Sequence, residues 1–222
     1  AYEIRNFDWS SDVCSSDLPG PFEDPESWRE GLIALVAGLR PSIRRRVGAI
    51  ALDGTSGTLL VCRLDGGLLP GPLAMALPYH LACVEQGASA LQLAGTGPAA
   101  SASGSLARAL RLLSQADAGA TSPRVLLRHQ ADWLMGWLLG DWRWGEESNN
   151  LRLGWDPRLQ RWCGVIAQQP WSQALPNIRP SGQRLGALST TVAAQLDLPS
   201  DCQVVAGSTD ANAAVQIGRA HV

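Results

Sequence analysis

The sequence predicts an α/β fold, and two observations carry that reading. Two short apolar runs, each compatible with a buried strand, open into loops of Gly, Ser, Thr and Asp. Segments whose apolar residues recur at helical spacing lie around and between them. The 222-residue chain is 45% hydrophobic and 17% charged, enough for a packed core and unlike a disordered chain. Its formal charge of −2 gives no basic surplus for nucleic acid or acidic lipid. All 18 basic residues are Arg, so neither a lysine-dependent phosphate loop nor a Schiff base is available. A GC-rich coding sequence accounts for that bias.

Both ends of the chain read as translated sequencing adaptor and are set aside before the fold is considered. Residues 8–18 (DWSSDVCSSDL) back-translate to one library adaptor. Residues 217–222 (IGRAHV) are its reverse complement, read up to a stop codon. Residues 1–7 have no assigned source. The expected native interval is 19–216, with equal numbers of arginines and carboxylates. It keeps Cys62, Cys83, Cys163 and Cys202 with His80 and His129, none at zinc-ligand spacing. Scattered thiols without a framework suggest reduced core cysteines in a cytoplasmic protein, or a plastid one if a targeting peptide preceded it. No apolar run approaches the ~20 residues of a membrane span.

Residues 25–40 place Trp28, Leu32, Ile33, Leu35, Val36 and Leu39 at helical spacing ahead of Pro41. The cluster Arg44, Arg45 and Arg46 reads as a solvated face. Residues 47–52 (VGAIAL) are expected to form a strand buried on both faces. The loop Asp53-Gly54-Thr55-Ser56-Gly57-Thr58 and a second apolar run, 59–62, follow. Residues 68–102 read as loop with a weak helix. Residues 105–113 form an amphipathic helix with Ser103 or Ser105 as N-cap. Residues 130–139 form another, with Trp133, Leu134, Trp137 and Leu138 on one stripe and Gly140 at its end. The tryptophan-rich stretch 142–180 reads as irregular. Its indoles are packing residues or, alternatively, an aromatic sugar platform. A helix over 189–196, a strand over 203–206, the turn Gly207-Ser208-Thr209-Asp210 and a helix from Ala211 complete the chain.

The two apolar runs share one design. Ile50-Ala51-Leu52 runs into DGTSGT and Val204-Val205-Ala206 into GSTD. In parallel sheets ligands collect at such strand ends, where small residues let a hydroxylated molecule approach the backbone. Asp210 begins a helix, a position that favours a carboxylate. It is either a base for a substrate hydroxyl or an ordinary helix cap.

Together with these loops, WREGL at Trp28, SGSLARALRLL at Ser103 and QADWLMGWLLG at Gln130 carry a resemblance. So do ESNNLRLGWDPRLQRW at Glu147, GQRLGALS at Gly182 and VVAGSTDANAA at Val204. In this order the interval 19–216 resembles the N-terminal, sugar-binding domain of the FGGY carbohydrate kinases. That family belongs to the ribonuclease H-like, actin-like ATPase superfamily, whose mixed sheet is flanked by helices. The DGTSGT loop is most similar to that of the ribulose and xylulose kinases of photosynthetic lineages.

The resemblance implies transfer of the γ-phosphate of ATP to a sugar hydroxyl, of a ketopentose such as D-ribulose or D-xylulose. Asp210 would be the catalytic base. Ser56, with Thr55, Gly54 and Asp53 beside it, would bind the sugar. ATP and Mg²⁺ would be held mainly by segments outside this chain: the family's first hairpin, expected before Pro19, and its C-terminal half. The fragment is therefore expected to be inactive alone and to leave a strand edge unpaired. Arg108 stands where many relatives have lysine. The alternatives are a non-catalytic sugar-binding module and an FGGY kinase for glycerol or gluconate.

Overall fold

A computed structural model describes residues 18–117 and 125–219. The chain opens with α1 (Pro25–Ala37), where Asp24 caps by accepting the Glu26 amide at 3.0 Å and Pro25 takes the first turn. Strands β1 (Ala49–Ala51) and β2 (Leu59–Arg63) follow, then α2 (Gly87–Ala94) and α3 (Ser105–Asp117). Next come β3 (Val125–His129), α4 (Gln130–Leu139), β4 (Trp144–Glu146) and the helical turn α5 (Glu147–Asn150). Hairpin strands β5 (Trp155–Asp156) and β6 (Arg161–Trp162) precede β7 (Asn177–Arg179) and β8 (Arg184–Ala187). The chain closes on α6 (Thr190–Leu196), β9 (Gln203–Val205) and α7 (Asp210–Arg219).

The sheets are mixed. One runs β1-β9-β8, with β1 parallel to β9 and β8 antiparallel to it. Antiparallel β2–β3 and parallel β4–β7 form two further pairs. The polar loop after β1 is thus no hairpin turn, since its flanking strands belong to different sheets.

Burial corrects one expectation. Ala49 and Ala51 of β1 are exposed, because among the described residues this strand has β9 on one side only. Burial on both faces belongs to β2 instead. Its residues 59–62 are all 0% exposed, with Leu59 and Val61 packed among α3 residues and Leu60 and Cys62 against Trp28 and Trp133. That is strand alternation with a core on each side.

The stripe expected on α4 is replaced by burial of every residue from Ala131 to Leu138. Trp133 and Leu134 enter one core, and Met135, Trp137 and Leu138 enter another with α6 and β9. A helix between two cores has no wet face to keep polar. It ends as expected, at Gly140 with φ 68°. Neither Ser103 nor Ser105 caps α3: Ser103 Oγ pairs with Ser101 Oγ at 3.0 Å, and Ser105 already lies inside the helix, after Gly104. Ser189 does cap α6, accepting the Val192 amide at 3.3 Å. Of the arginine cluster, Arg45 and Arg46 are exposed, while Arg44 pairs with Asp197 at 3.1 Å.

The stretch read as irregular contains β4 through β7 and a second level of organisation, buried polar side chains. Arg128 is 1% exposed and donates to the carbonyls of Trp142, Leu127 and Ala174. Cys62, Cys83 and Cys202 are buried free thiols and Cys163 is half-buried. Among the described residues no helix is long and apolar enough to cross a membrane. The unassigned residues 1–7 and the adaptor-like residues 8–17 and 220–222 lie outside the described residues. Leu18 packs beside Trp28, and Ile217, Gly218 and Arg219 continue the backbone of α7.

Candidate functional site

Parallel pairing of β1 with β9, in the register Ala49–Gln203, Ile50–Val204 and Ala51–Val205, sends both carboxyl ends the same way. The two polar loops therefore emerge side by side and bond to each other. The Gly54 amide donates to Ser208 O at 3.2 Å, and the Asp210 amide donates to Gly54 O at 3.0 Å. The Ser208 amide donates to Asp53 Oδ1 at 2.6 Å. Close approach demands glycine on each side. A Cβ on Gly207 would lie 2.0 Å from Leu52 O, and one on Gly54 would lie 2.9 Å from the Ala131 backbone nitrogen.

The residues singled out in the sequence divide by what occupies their polar atoms. Asp210 lies in the first turn of α7 with its side chain exposed, and its Oδ1 accepts the Ala211 amide at 2.7 Å. The helix cap is Thr209, whose Oγ1 accepts the Asn212 amide at 3.3 Å. The second Asp210 oxygen has no hydrogen bond among the described residues. Asp53 is committed to the neighbouring loop. Thr55 is drawn the other way: its amide donates to Gln130 Oε1 at 3.0 Å, and its Oγ1 lies 2.9 Å from that oxygen and 2.7 Å from Thr58 Oγ1. Ser56 is half-buried, and its hydroxyl has no partner among the described residues. The structure thus bonds Gly54 directly to Asp210 and Asp53 to Ser208 of the same turn, while Thr55 braces the first loop and Ser56 bonds to neither.

Several supporting residues were not picked out from the sequence. Arg108, 0% exposed, donates to Gly57 O at 3.2 Å and to Tyr79 O, and holds the far end of the first loop where Gly57 adopts φ 100°. Burial lowers the pKa of its guanidinium. Beneath the second loop, Asn149 Nδ2 donates to Ser208 O at 3.1 Å and to Glu146 Oε2 at 3.0 Å. Glu146 is itself 1% exposed, and its carboxylate also accepts the Ser148 and Asn149 amides and the Ser181 hydroxyl, at 2.8, 3.0 and 2.6 Å. Asp132, 0% exposed, accepts the Glu146 amide at 2.9 Å and Asn150 Nδ2 at 2.9 Å. Polar letters inside the apolar stretch QADWLMGWLL and the dense polar run EESNN were the available signal, since such groups are buried only when paired.

The arrangement presents one carboxylate and one hydroxyl beside tightly packed backbone. Among the described residues no group of three His, Cys, Asp or Glu is placed to hold a metal ion. Asp53 already spends an oxygen on Ser208.

No family model matches the chain. Solved structures do. A xylulose kinase from Rhodospirillum rubrum superposes with a TM-score of 0.70 at 20% identity over 86% of the chain. A carbohydrate kinase from Novosphingobium aromaticivorans gives 0.66 at 21% over 88%. The chain has the sugar-kinase fold. A Plasmodium falciparum glycerol kinase determined with ADP gives 0.62 at 18% over 89%. The mixed α/β fold expected from the sequence is the one these structures share with the chain. The chain spans 42% of the length of each of these three proteins.

Proposed function

We propose that the chain is the sugar-binding domain of an FGGY-type, ATP-dependent carbohydrate kinase acting on a ketopentose, D-ribulose or D-xylulose. The observation that carries this reading is the Gly54–Asp210 contact: it sets an exposed carboxylate at the mouth of a loop bearing a free serine hydroxyl. Asp210 accepts the proton of the attacking sugar hydroxyl, and Ser56 hydrogen-bonds the sugar. Gly54 and Gly207 let the loops pack against Ala131 and Leu52, while Asp53 and Thr55 fix the loops. ATP, when bound by the whole kinase, supplies the phosphoryl group, and Mg²⁺ screens its charge. Proton transfer to a positioned carboxylate is worth about 10²–10⁴ in rate, the contribution assigned to Asp210.

The substrate follows from the DGTSGT loop, which resembles the ribulose and xylulose kinases. The structural neighbours also include kinases for gluconate and glycerol, so the test is a panel of D-ribulose, D-xylulose, glycerol and gluconate. Calorimetry on the chain is expected to show ketopentose binding that Ser56→Ala weakens about fivefold, the worth of one ordinary hydrogen bond of ~1 kcal/mol. Asp210→Asn keeps that affinity within about threefold, yet lowers kcat of the complete kinase by about 10²–10⁴. Unchanged turnover in Asp210→Asn, or glycerol bound more tightly than either ketopentose, sinks the proposal. We also read 19–216 as the native domain of a cytoplasmic enzyme and the two ends as adaptor. Recovery of the uninterrupted gene tests this directly.

A further inference from the structure

The tryptophan-rich stretch that the sugar loops leave unused folds into a cleft of its own. Hairpin β5–β6, the helical turn Gly164–Ala167 and strand β7 line an open cleft of about 810 Å³, within the ~300–1,000 Å³ of small-molecule sites. Trp155 and Trp162 form an aromatic wall, edge to face with centroids 5.5 Å apart. Arg161, Arg179, Gln160, Gln168 and Asn177 complete the polar lining, and among the described residues no carboxylate lines the cleft.

Charge decides which ligand suits it. Arg179 lies 4.4 Å over the Trp144 ring, and a stacked guanidinium keeps its in-plane N–H donors free. Neither Arg161 nor Arg179 has a carboxylate or carbonyl partner among the described residues. The nearby acids are engaged with other donors: Asp156, in register with Arg161 across the hairpin, accepts the Arg158 and Leu159 amides on Oδ1 at 2.9 and 3.1 Å, and Glu147 Oε2 of α5 accepts Gln160 Nε2 at 3.3 Å. Two unneutralised cations in a chain of net charge −2 call for an anion with several acceptor oxygens. Indole faces beside them call for the apolar face of a sugar ring.

We propose that this cleft is a second small-molecule site that binds a phosphorylated sugar. Arg161 and Arg179 hold the phosphate, and Trp155 and Trp162 contact the ring. The inference is independent of the kinase reading, because it uses none of the residues of the two loops.

Titration of the full chain with ribose 5-phosphate, ribose and inorganic phosphate tests it, read by tryptophan fluorescence and calorimetry. Ribose 5-phosphate is expected to saturate the signal and to bind at least about tenfold more tightly than either other probe. Arg161→Gln and Arg179→Gln each weaken it by about tenfold, as loss of a charge-assisted bond requires. Ser56→Ala leaves it unchanged, which separates this cleft from the loop site. Arg161 is exposed on a hairpin, so its variant keeps the test valid if Arg179→Gln does not fold. Ribose binding as tightly as its phosphate, inorganic phosphate matching the sugar phosphate, or full affinity in Arg161→Gln overturns the proposal.

Discussion

Replacing Glu146 with Gln measures how much the buried carboxylate beneath the site contributes. The carboxylate accepts four hydrogen bonds, from the Ser148 and Asn149 amides, Asn149 Nδ2 and the Ser181 hydroxyl. Gln keeps the shape but puts an NH₂ where one oxygen stood. It settles with that NH₂ toward Ser181, whose hydroxyl can rotate and accept, and so orphans only the Ser148 amide. That orphan costs about 1–3 kcal/mol, and the remaining bonds, no longer charge-assisted, weaken by ~1 kcal/mol each. Relief from burying an anion returns a few kcal/mol, leaving a net loss of about 2 kcal/mol. With a urea slope of about 2–3 kcal/mol/M for a chain of this size, the midpoint falls by roughly 0.7–1 M. Urea unfolding followed by tryptophan fluorescence reads that shift. A midpoint within about 0.2 M of the parent would show that the four bonds do not hold the site together, and the argument would fail.

Three further outcomes follow from the same structure. Gly207→Ala forces a Cβ against Leu52 O and should cost about 1–3 kcal/mol, with loss of ketopentose binding in calorimetry. Burial pushes the Cys62 thiol up to about 12 and lowers Arg128 to about 10. Between about pH 9 and 10 the unfolded chain releases the thiol proton and the folded chain keeps it, so stability falls by up to about 1.4 kcal/mol per pH unit. Above that, earlier proton loss from folded Arg128 offsets the decline. A smaller slope in Cys62→Ala, measured by urea midpoints at pH 8.5–10 (~ half-unit steps), checks the assignment. Finally, the 222-residue chain given ATP, Mg²⁺ and D-ribulose is expected to form no sugar phosphate; coupled detection of ADP tests it.

What could be read from the sequence was what local chemistry decides. Small residues after VVA and IAL marked the two strand ends, Gly140 marked the end of α4, and Asp210 marked the start of α7. Each is set by backbone conformation within a few residues. What failed depended on partners far along the chain. The exposure of β1 is set by how many strands flank it, which its own alanines do not state. Strand β3 hid because Arg128 and His129 interrupt its apolar run, although both are buried by tertiary bonds. Of the site residues, Asp53 and Thr55 carried suitable chemistry but spend it on the scaffold. Arg108, Glu146 and Asn149 carry no local signature of the loops they support, since residues 51, 35 and 59 positions away complete their roles.

Arg128 has a kinetic consequence. Its guanidinium is fully hydrogen-bonded only when its own strand, which supplies Leu127 O, has been joined by the stretches that carry Trp142 O and Ala174 O. Any half-assembled species would strand a full positive charge in hydrocarbon, a cost of several kcal/mol. The three stretches should therefore melt and reform as one unit, and hydrogen exchange along them should share a single opening free energy.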